Sequence, residues 1–422
     1  MKKFLAAFMF CVALMNSATA SDELDPTELR LVCAICSMGA YSADESYLMR
    51  SMLNERGWTI EKISQKTNRA DARAYLVSKG NAKILAVAGT ENLKDVEVDF
   101  RVGRVHLNDN AAPLAPKEKN VGDKLFVHRG FRDYADVVLS DGLAERLKTS
   151  LEKNPQETLY LTGHSLGGSV ATIMAIRLTD SGVNKNRLKT ITFGAPAVGS
   201  HGLANVYNDK LDLTRVVMSG DVIKKSLRAL GYVHFGKALA YQQNVTDDHM
   251  AHKMAVYLDC AIRDYVNAGG TFRHDAQDKI DTPLYVAPIL LVKGSFHASD
   301  EGLILNTLDD SLRNNFSNLT FSAEQSVVIK EKNILDEDFD EFVDAAKGSG
   351  CKYVLIRILR AKKNRDAPLG DRLITLEEFI LDSSGVPLFM QTSGESTENL
   401  TIFEAALAAQ ENLTPALKNF FD

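Results

Sequence analysis

Residues Thr158–Val170 read TLYLTGHSLGGSV. A run of apolar and β-favouring residues meets a serine set between glycines, and small residues follow. Glycine weakens a strand and interrupts a helix, so this order needs backbone freedom more than regular structure. The pentad GHSLG, Gly163 to Gly167, fits the G-x-S-x-G elbow, a sharp strand-to-helix turn that holds the serine hydroxyl out from the sheet edge. Ser165 is the candidate nucleophile. Gly163 and Gly167 stand where neighbouring backbones pass too close for side chains. The helix that starts after Ser165 directs N–H groups and a positive dipole end toward a developing oxyanion, with the Leu166 N–H as first donor.

The surrounding pattern supplies the context an elbow needs. From about residue 82 strand-like and helix-like segments alternate: AKILAVAG (82–89), a helical stretch FRDYADVVLSDGLAERLKTSLEKN ending before Pro155, the strand LYLTG, and the small-residue helix GGSVATIMAIRL. The strands LKTITFGAP and LTRVVMSGD follow. Alternation of this kind predicts an α/β fold with a mostly parallel sheet covered on both faces. Chemistry in such sheets lies at the carboxyl ends of the strands.

The elbow fold orders its partners Ser, Asp, His. Asp221 comes just after the strand LTRVVMSG, whereas Asp212 and Asp209 precede it and fall at the wrong end. The base comes later, from His234, His249, His252, His274 or His297. His252, in MAHKMAVYL, suits a loop-to-helix position, with His249 as runner-up. His164, adjacent to the serine, points away from it and reads as a packing residue.

Composition bounds the rest. The 422 residues are 45% apolar and 25% charged, ordinary values for a globular protein, and a formal charge of −6 disfavours a nucleic-acid partner. Lys2 and Lys3 precede FLAAFMFCVALM and then Ala18-Thr19-Ala20, the order of a secretory signal peptide over residues 1–20. The chain is therefore expected to be exported, to the periplasm or beyond the cell. Cys33 and Cys36 form a CxxC, with Cys260 and Cys351 far away. In an exported chain a disulfide is the first reading, its pairing open. A buried helix carrying free thiols fits RLVCAICSMGAY equally. Zinc would need two further close ligands, so no metal is expected.

After Val266 the stretch NAGGTFRHDAQDKIDTP reads as a linker, about 268–283. A second pattern begins at LYVAPILLVKG and continues as helix, strand (SVVIK), helix (EDFDEFVDAAKGSG) and strand (KYVLIRILRAKK). The strands RLITLEEFILD and VPLFMQT then flank the turn at Ser383-Ser384-Gly385, and the helix TIFEAALAAQENLTPALKNFF closes the chain. This predicts a hydrolase domain over 21–267 and a smaller α/β or α+β domain over 284–422. The charged run EKNILDEDFDE reads as a solvated helix start.

Together GHSLGGSVA, FGAPAVGS, RVVMSGDVI, GYVHFGKAL and HKMAVY, with VAGTENLKDVEVDF and VHRGF upstream, resemble the class 3 lipase family of α/β-hydrolases, over roughly residues 30–265. The resemblance implies Ser165 as nucleophile, Asp221 as orienting acid and His252 as general base. Tyr257 falls on the tyrosine of the family's last motif, which favours His252 over His249. Thr90 matches the residue that completes the oxyanion hole with Leu166, and Gly89 allows close approach there. Residues 91–110 match a lid region. This chain departs from the pattern at Ala88, where Arg is common, and at Val96, where Trp is common, and carries a polar insert from His106 to Asp123. The C-terminal part lies outside the family and faintly resembles small α/β domains of bacterial periplasmic lipoproteins.

The expected function is an exported serine ester hydrolase acting on an ester or lipid through an acyl-enzyme. No cofactor is expected, and contact with a membrane or lipid surface would be transient. A hydrolase-fold binding or scaffold protein of the cell envelope, and an acyltransferase, are the alternatives. For the C-terminal domain, binding of an envelope partner and plain stabilisation both stay open.

Overall fold

In the computed structural model, TLYLTGH is strand β6 (Thr158–His164) and helix α4 (Leu166–Asp180) begins two residues later. The structure describes residues 24–41, 49, 52–66, 71–89, 103–108, 125–223, 226–242, 251–272, 278–296, 298–330, 339–363, 372–397 and 400–422. The expected signal peptide, Thr90, most of the lid segment and most of the polar insert lie outside them.

Strand β6 is central in a seven-stranded sheet of order β1-β2-β3-β6-β7-β8-β9. From β3 (Ala82–Val87) through β7 (Leu188–Phe193) and β8 (Asp212–Met218) to β9 (Lys237–Tyr241) the strands run parallel. The edge strands β1 (Thr59–Lys66) and β2 (Asp71–Lys79) are antiparallel. They precede the alternating region, so the alternation does not announce them. A two-stranded ribbon, β4 (Arg104–His106) with β5 (Phe126–His128), stands apart.

Successive strand residues point to opposite faces, and both faces are covered. Leu85, Val87, Leu159 and Leu161 pack with α2 (Arg129–Val138), α3 (Leu143–Lys153) and α4, in a core that α5 (His201–Tyr207) also joins. Ile84, Ala86 and Tyr160 pack with α1 (Pro26–Gly39) and α6 (Met254–Asn267). The stretch read as one helix before Pro155 is two, because Asp141 and Gly142 take positive φ (51° and 81°) and end the hydrogen-bond ladder between them. Helix α1 is capped by Asp25, whose carboxylate accepts from the Thr27 N–H, with Pro26 at the first position.

The cysteines correct the first expectation. Cys33, Cys36, Cys260 and Cys351 are all free and buried. Cys33 and Cys36 sit on α1 and fill the packed layer under the sheet, where Cys260 of α6 also lies. They serve as small apolar volume. Burial pushes the Cys33 and Cys260 thiols up to about 12, far from a reactive thiolate.

The C-terminal sheet comprises β10 (Leu284–Val286), β11 (Ile289–Val292), β12 (Leu319–Phe321), β13 (Ser326–Ile329), β14 (Tyr353–Lys363), β15 (Arg372–Asp382) and β16 (Pro387–Ser396). Because β15 occupies one edge of β14 throughout, β10 and β11 lie end to end along the other. In the same way β12 and β13 line the outer edge of β10 and β11. LYVAPILLV is thus one strand broken at Ala287-Pro288, and SVVIK continues a strand that begins at Leu319. Helices α7 (Ala298–Asn315) and α9 (Ile402–Phe421) cover one face, and α8 (Asp340–Gly348) packs on the other. The first turn of α9 reaches the hydrolase-side core, where the Phe403 ring lies 5.3 Å from that of Phe272.

Candidate active site

The elbow is strained at one residue. Ser165 has φ 54° and ψ −127°, a conformation unfavourable for a side-chain-bearing residue, and it stands between the last residue of β6 and the first of α4. A Cβ on Gly163 would meet the Gly167 carbonyl carbon at 2.5 Å, and one on Gly167 would run into the Val87 carbonyl oxygen. Both glycines are therefore required by the crossing of β3, β6 and α4. Leu166 is the first residue of α4, so its N–H has no carbonyl within the helix to meet and is available to a ligand.

Ser165 Oγ lies 2.9 Å from His252 Nε2, and His252 Nδ1 lies 2.9 Å from Asp221 Oδ2. All three residues are buried, at 1%, 3% and 1% exposure, which keeps bulk water off the group. Asp221 follows β8 in the turn at the carboxyl end of the sheet, and His252 precedes α6. Asp212 opens β8 and is exposed, as is Asp209, so neither reaches the serine. Of the candidate bases among the described residues, His252 stands within hydrogen-bond distance of Ser165, whereas His234 lies just before β9. His249, His274 and His297 lie outside the described residues.

Burial acts to raise the Asp221 pKa. The hydrogen bond and charge of His252, then the Tyr257 hydroxyl and the Ile223 N–H, outweigh it and hold the carboxyl below its usual range. Tyr257 Oη donates to Asp221 Oδ2 at 2.6 Å and accepts from the Met218 N–H at 3.0 Å, while the Ile223 N–H donates to Oδ1 at 2.9 Å. An ionised Asp221 accepts from Nδ1–H of His252. That tautomer leaves Nε2 free to accept the Ser165 proton.

His164 braces His252 from behind. Its Nε2 donates to the backbone carbonyl of His252 at 2.7 Å, so its Nδ1 is the acceptor for the Tyr41 hydroxyl at 2.6 Å. Burial, followed by the neighbouring His252, lowers its pKa to about 3, which keeps it neutral. Tyr41 has no motif of its own; it lies 123 residues before His164 and only the packing of α1 brings it there. Gly194, in FGAP, is the other element missed. Its φ is 55°, and a Cβ there would sit 2.9 Å from Asp221 Oδ2.

A mostly parallel sheet sandwiched by helices, with a serine at the turn from its central strand into a helix, defines an α/β-hydrolase. The family model of the class 3 lipases matches residues 84–229. Over 234 residues the chain is 32% identical to the secreted mono- and diacylglycerol lipase A of Penicillium cyclopium, covering 52% of this chain and 71% of that protein. The chain belongs to the class 3 lipases, a family of carboxylic ester hydrolases. A lipase of Caenorhabditis elegans is 40% identical over 67 residues, 15% of this chain and about a fifth (19%) of the nematode protein. Among solved structures, the nonglycosylated LIP2 lipase of Yarrowia lipolytica aligns with a TM-score of 0.41 at 21% identity, over 51% of this chain and 78% of that one.

Proposed function

We propose that the protein is an exported serine ester hydrolase whose catalytic group is Ser165, His252 and Asp221. The observation that carries the reading is the continuous relay from Ser165 Oγ through both ring nitrogens of His252 to Asp221. His252 Nε2 takes the serine proton as Oγ attacks the ester carbonyl, and Asp221 holds the tautomer and stabilises the imidazolium. The Leu166 N–H, with Thr90 as the expected second donor, receives the oxyanion, each donor contributing on the order of 100-fold in rate. The imidazolium returns its proton to the leaving alcohol. Water, activated by the same base, then releases the acid and restores Ser165.

An acylglycerol is the favoured substrate class, since the Penicillium relative is named as a mono- and diacylglycerol lipase. Export is supported by the charged, apolar and small-residue order at the N-terminus and by the secreted relative. The division into a hydrolase domain over 21–267 and a C-terminal domain over 284–422 is part of the proposal, supported by the two separate sheets.

The test is hydrolysis of p-nitrophenyl esters of increasing chain length by the mature chain and by Ser165→Ala. Activity lost in the variant establishes the serine mechanism, and the chain-length profile separates esterase from lipase. Equal activity in both, or none in either with no fluorophosphonate labelling, would overturn the reading.

A further inference from the structure

One arginine ties three layers together beside the elbow. Arg73 stands near the start of β2, opposite Ala88 and one step past Ala74–Val87, the last pair of the β2–β3 ladder. Its carbonyl accepts from the Ala88 N–H at 3.0 Å, and its own N–H donates to the Tyr134 hydroxyl of α2 at 3.3 Å. Its side chain leaves on the other face of the sheet, with those of Tyr75 and Val77, toward the layer that α1 builds. There Nη1 donates to the backbone carbonyl of Tyr41 at 3.2 Å. Arg is common in the family at position 88, where this chain has a buried Ala88. Residues 73 and 88 are cross-strand neighbours, so the guanidinium rises on the same face from the adjoining strand instead.

Both residues that Arg73 holds support the catalytic group. Ala88 lies against the elbow, since a Cβ on Gly167 would meet the Ala88 carbonyl carbon at 2.9 Å. Tyr41 Oη donates to His164 Nδ1 at 2.6 Å, and His164 in turn holds the main chain of His252. The two supports also touch each other. A Cβ on Gly89, next after Ala88, would run into Tyr41 Oη and lie 2.8 Å from the His164 carbonyl oxygen. Tyr41 lies beyond the last residue of α1, where the helical ladder no longer fixes the backbone. The Arg73 guanidinium holds it there, through a charge-assisted bond stronger than one between neutral groups.

From this geometry we infer that Arg73 is a positioning residue for ester hydrolysis, acting through the main chain of Tyr41 on the His164–His252 brace. The inference rests on the reading of Ser165, His252 and Asp221 as the catalytic group. Arg73 touches none of the three. It sets where the Tyr41 hydroxyl stands over His164, and through His164 where the backbone of His252 stands. A small shift of a catalytic base lowers the rate of the chemical step and leaves substrate affinity alone.

The experiment is steady-state kinetics of the full mature chain on p-nitrophenyl butyrate, with thermal unfolding recorded for every variant. Arg73→Met keeps the length of the side chain and removes its donors, and Arg73→Gln is measured beside it so that the answer does not hang on one variant folding. In both, kcat should fall about fivefold with KM unchanged. Added to Tyr41→Phe, Arg73→Met should cost no further kcat, because the hydroxyl it aims is already gone. A residue that only stabilised the fold would lower Tm and leave the kcat of the folded enzyme unaltered. Wild-type kcat in the folded Arg73 variants, or the full loss repeated in the Tyr41→Phe background, would overturn the inference while leaving the hydrolase reading intact. Wild-type activity no greater than that of Ser165→Ala would instead overturn that reading, and the role of Arg73 with it.

Discussion

His164 and His252 are joined through the main chain: the imidazole of the first donates to the carbonyl of the second at 2.7 Å, and their rings lie 4.7 Å apart. The bond fixes the backbone of His252 and not its ring. Ring orientation is left to Asp221, so position and tautomer are controlled by different residues.

That separation predicts two kinds of variant. Tyr41→Phe removes the donor that holds His164 in its tautomer and should lower kcat about tenfold with KM little changed, because it shifts the base without touching the substrate. Steady-state kinetics on p-nitrophenyl butyrate decide it, and an unaltered kcat would show that the brace is only packing.

Asp221→Asn leaves the shape of the site intact but reverses the hydrogen-bonding demand on His252 Nδ1. The rate should fall by roughly 10⁴, the effect of the wrong tautomer in a serine triad. Tyr257→Phe, which takes one of the donors from Asp221, should cost far less. A variant order with Tyr257→Phe the more damaging would contradict the assignment of Asp221.

Gly194→Ala places a methyl against Asp221 Oδ2 at a residue with φ 55°. Strain at positive φ costs about 1 kcal/mol of stability, and the displaced carboxylate should cost activity well beyond that. Urea midpoints measured beside kcat separate the two losses. Equal, small effects on both would mean the loop simply moves aside.

The inter-sheet core carries a pH dependence of its own. Glu404 caps α9 through Thr401 and is buried; burial pushes its carboxyl up to about 7, opposed by its hydrogen bonds to Thr401. The folded state therefore prefers the protonated form, while the unfolded chain ionises near the ordinary 4.5. Stability is full below that value and falls as pH rises to about 7, by about 3 kcal/mol. Glu404→Gln keeps the acceptor for the Thr401 N–H and should flatten the profile of Tm against pH. A wild-type Tm that rises over this range would reverse the sign and refute the argument.

The thiol state is equally open to measurement. The native mature chain should react negligibly with a thiol reagent, and the denatured chain without reductant should titrate four thiols. Two missing thiols would restore a disulfide.

The sequence carries Ser165 and its glycines openly, because a strand, a tight turn and a helix N-terminus are local events whose steric demands fall on adjacent residues. The same holds for the parallel sheet, announced by alternating periods from residue 82 onward. The strands β1 and β2 were less legible, since half-exposed antiparallel strands such as TIEKISQK mix polar and apolar residues. In the C-terminal sheet the apolar run LYVAPILLV marked a strand but not its break, which depends on what lies opposite it.

For the site, local pattern narrowed the acid to Asp221 by its place after a strand and left the base between neighbouring histidines until a family motif chose His252. Nothing local brings His252 to Ser165 across 87 residues, or Tyr41 to His164 across 123. Those distances are closed by the register of β6, β7 and β8 and by the packing of α1 and α6 on one face of the sheet. Turn chemistry and periodicity act over a few residues and can be read in order along the chain. The relay, its brace and the fate of the cysteines depend on which faces meet, and that is decided only when the whole core packs.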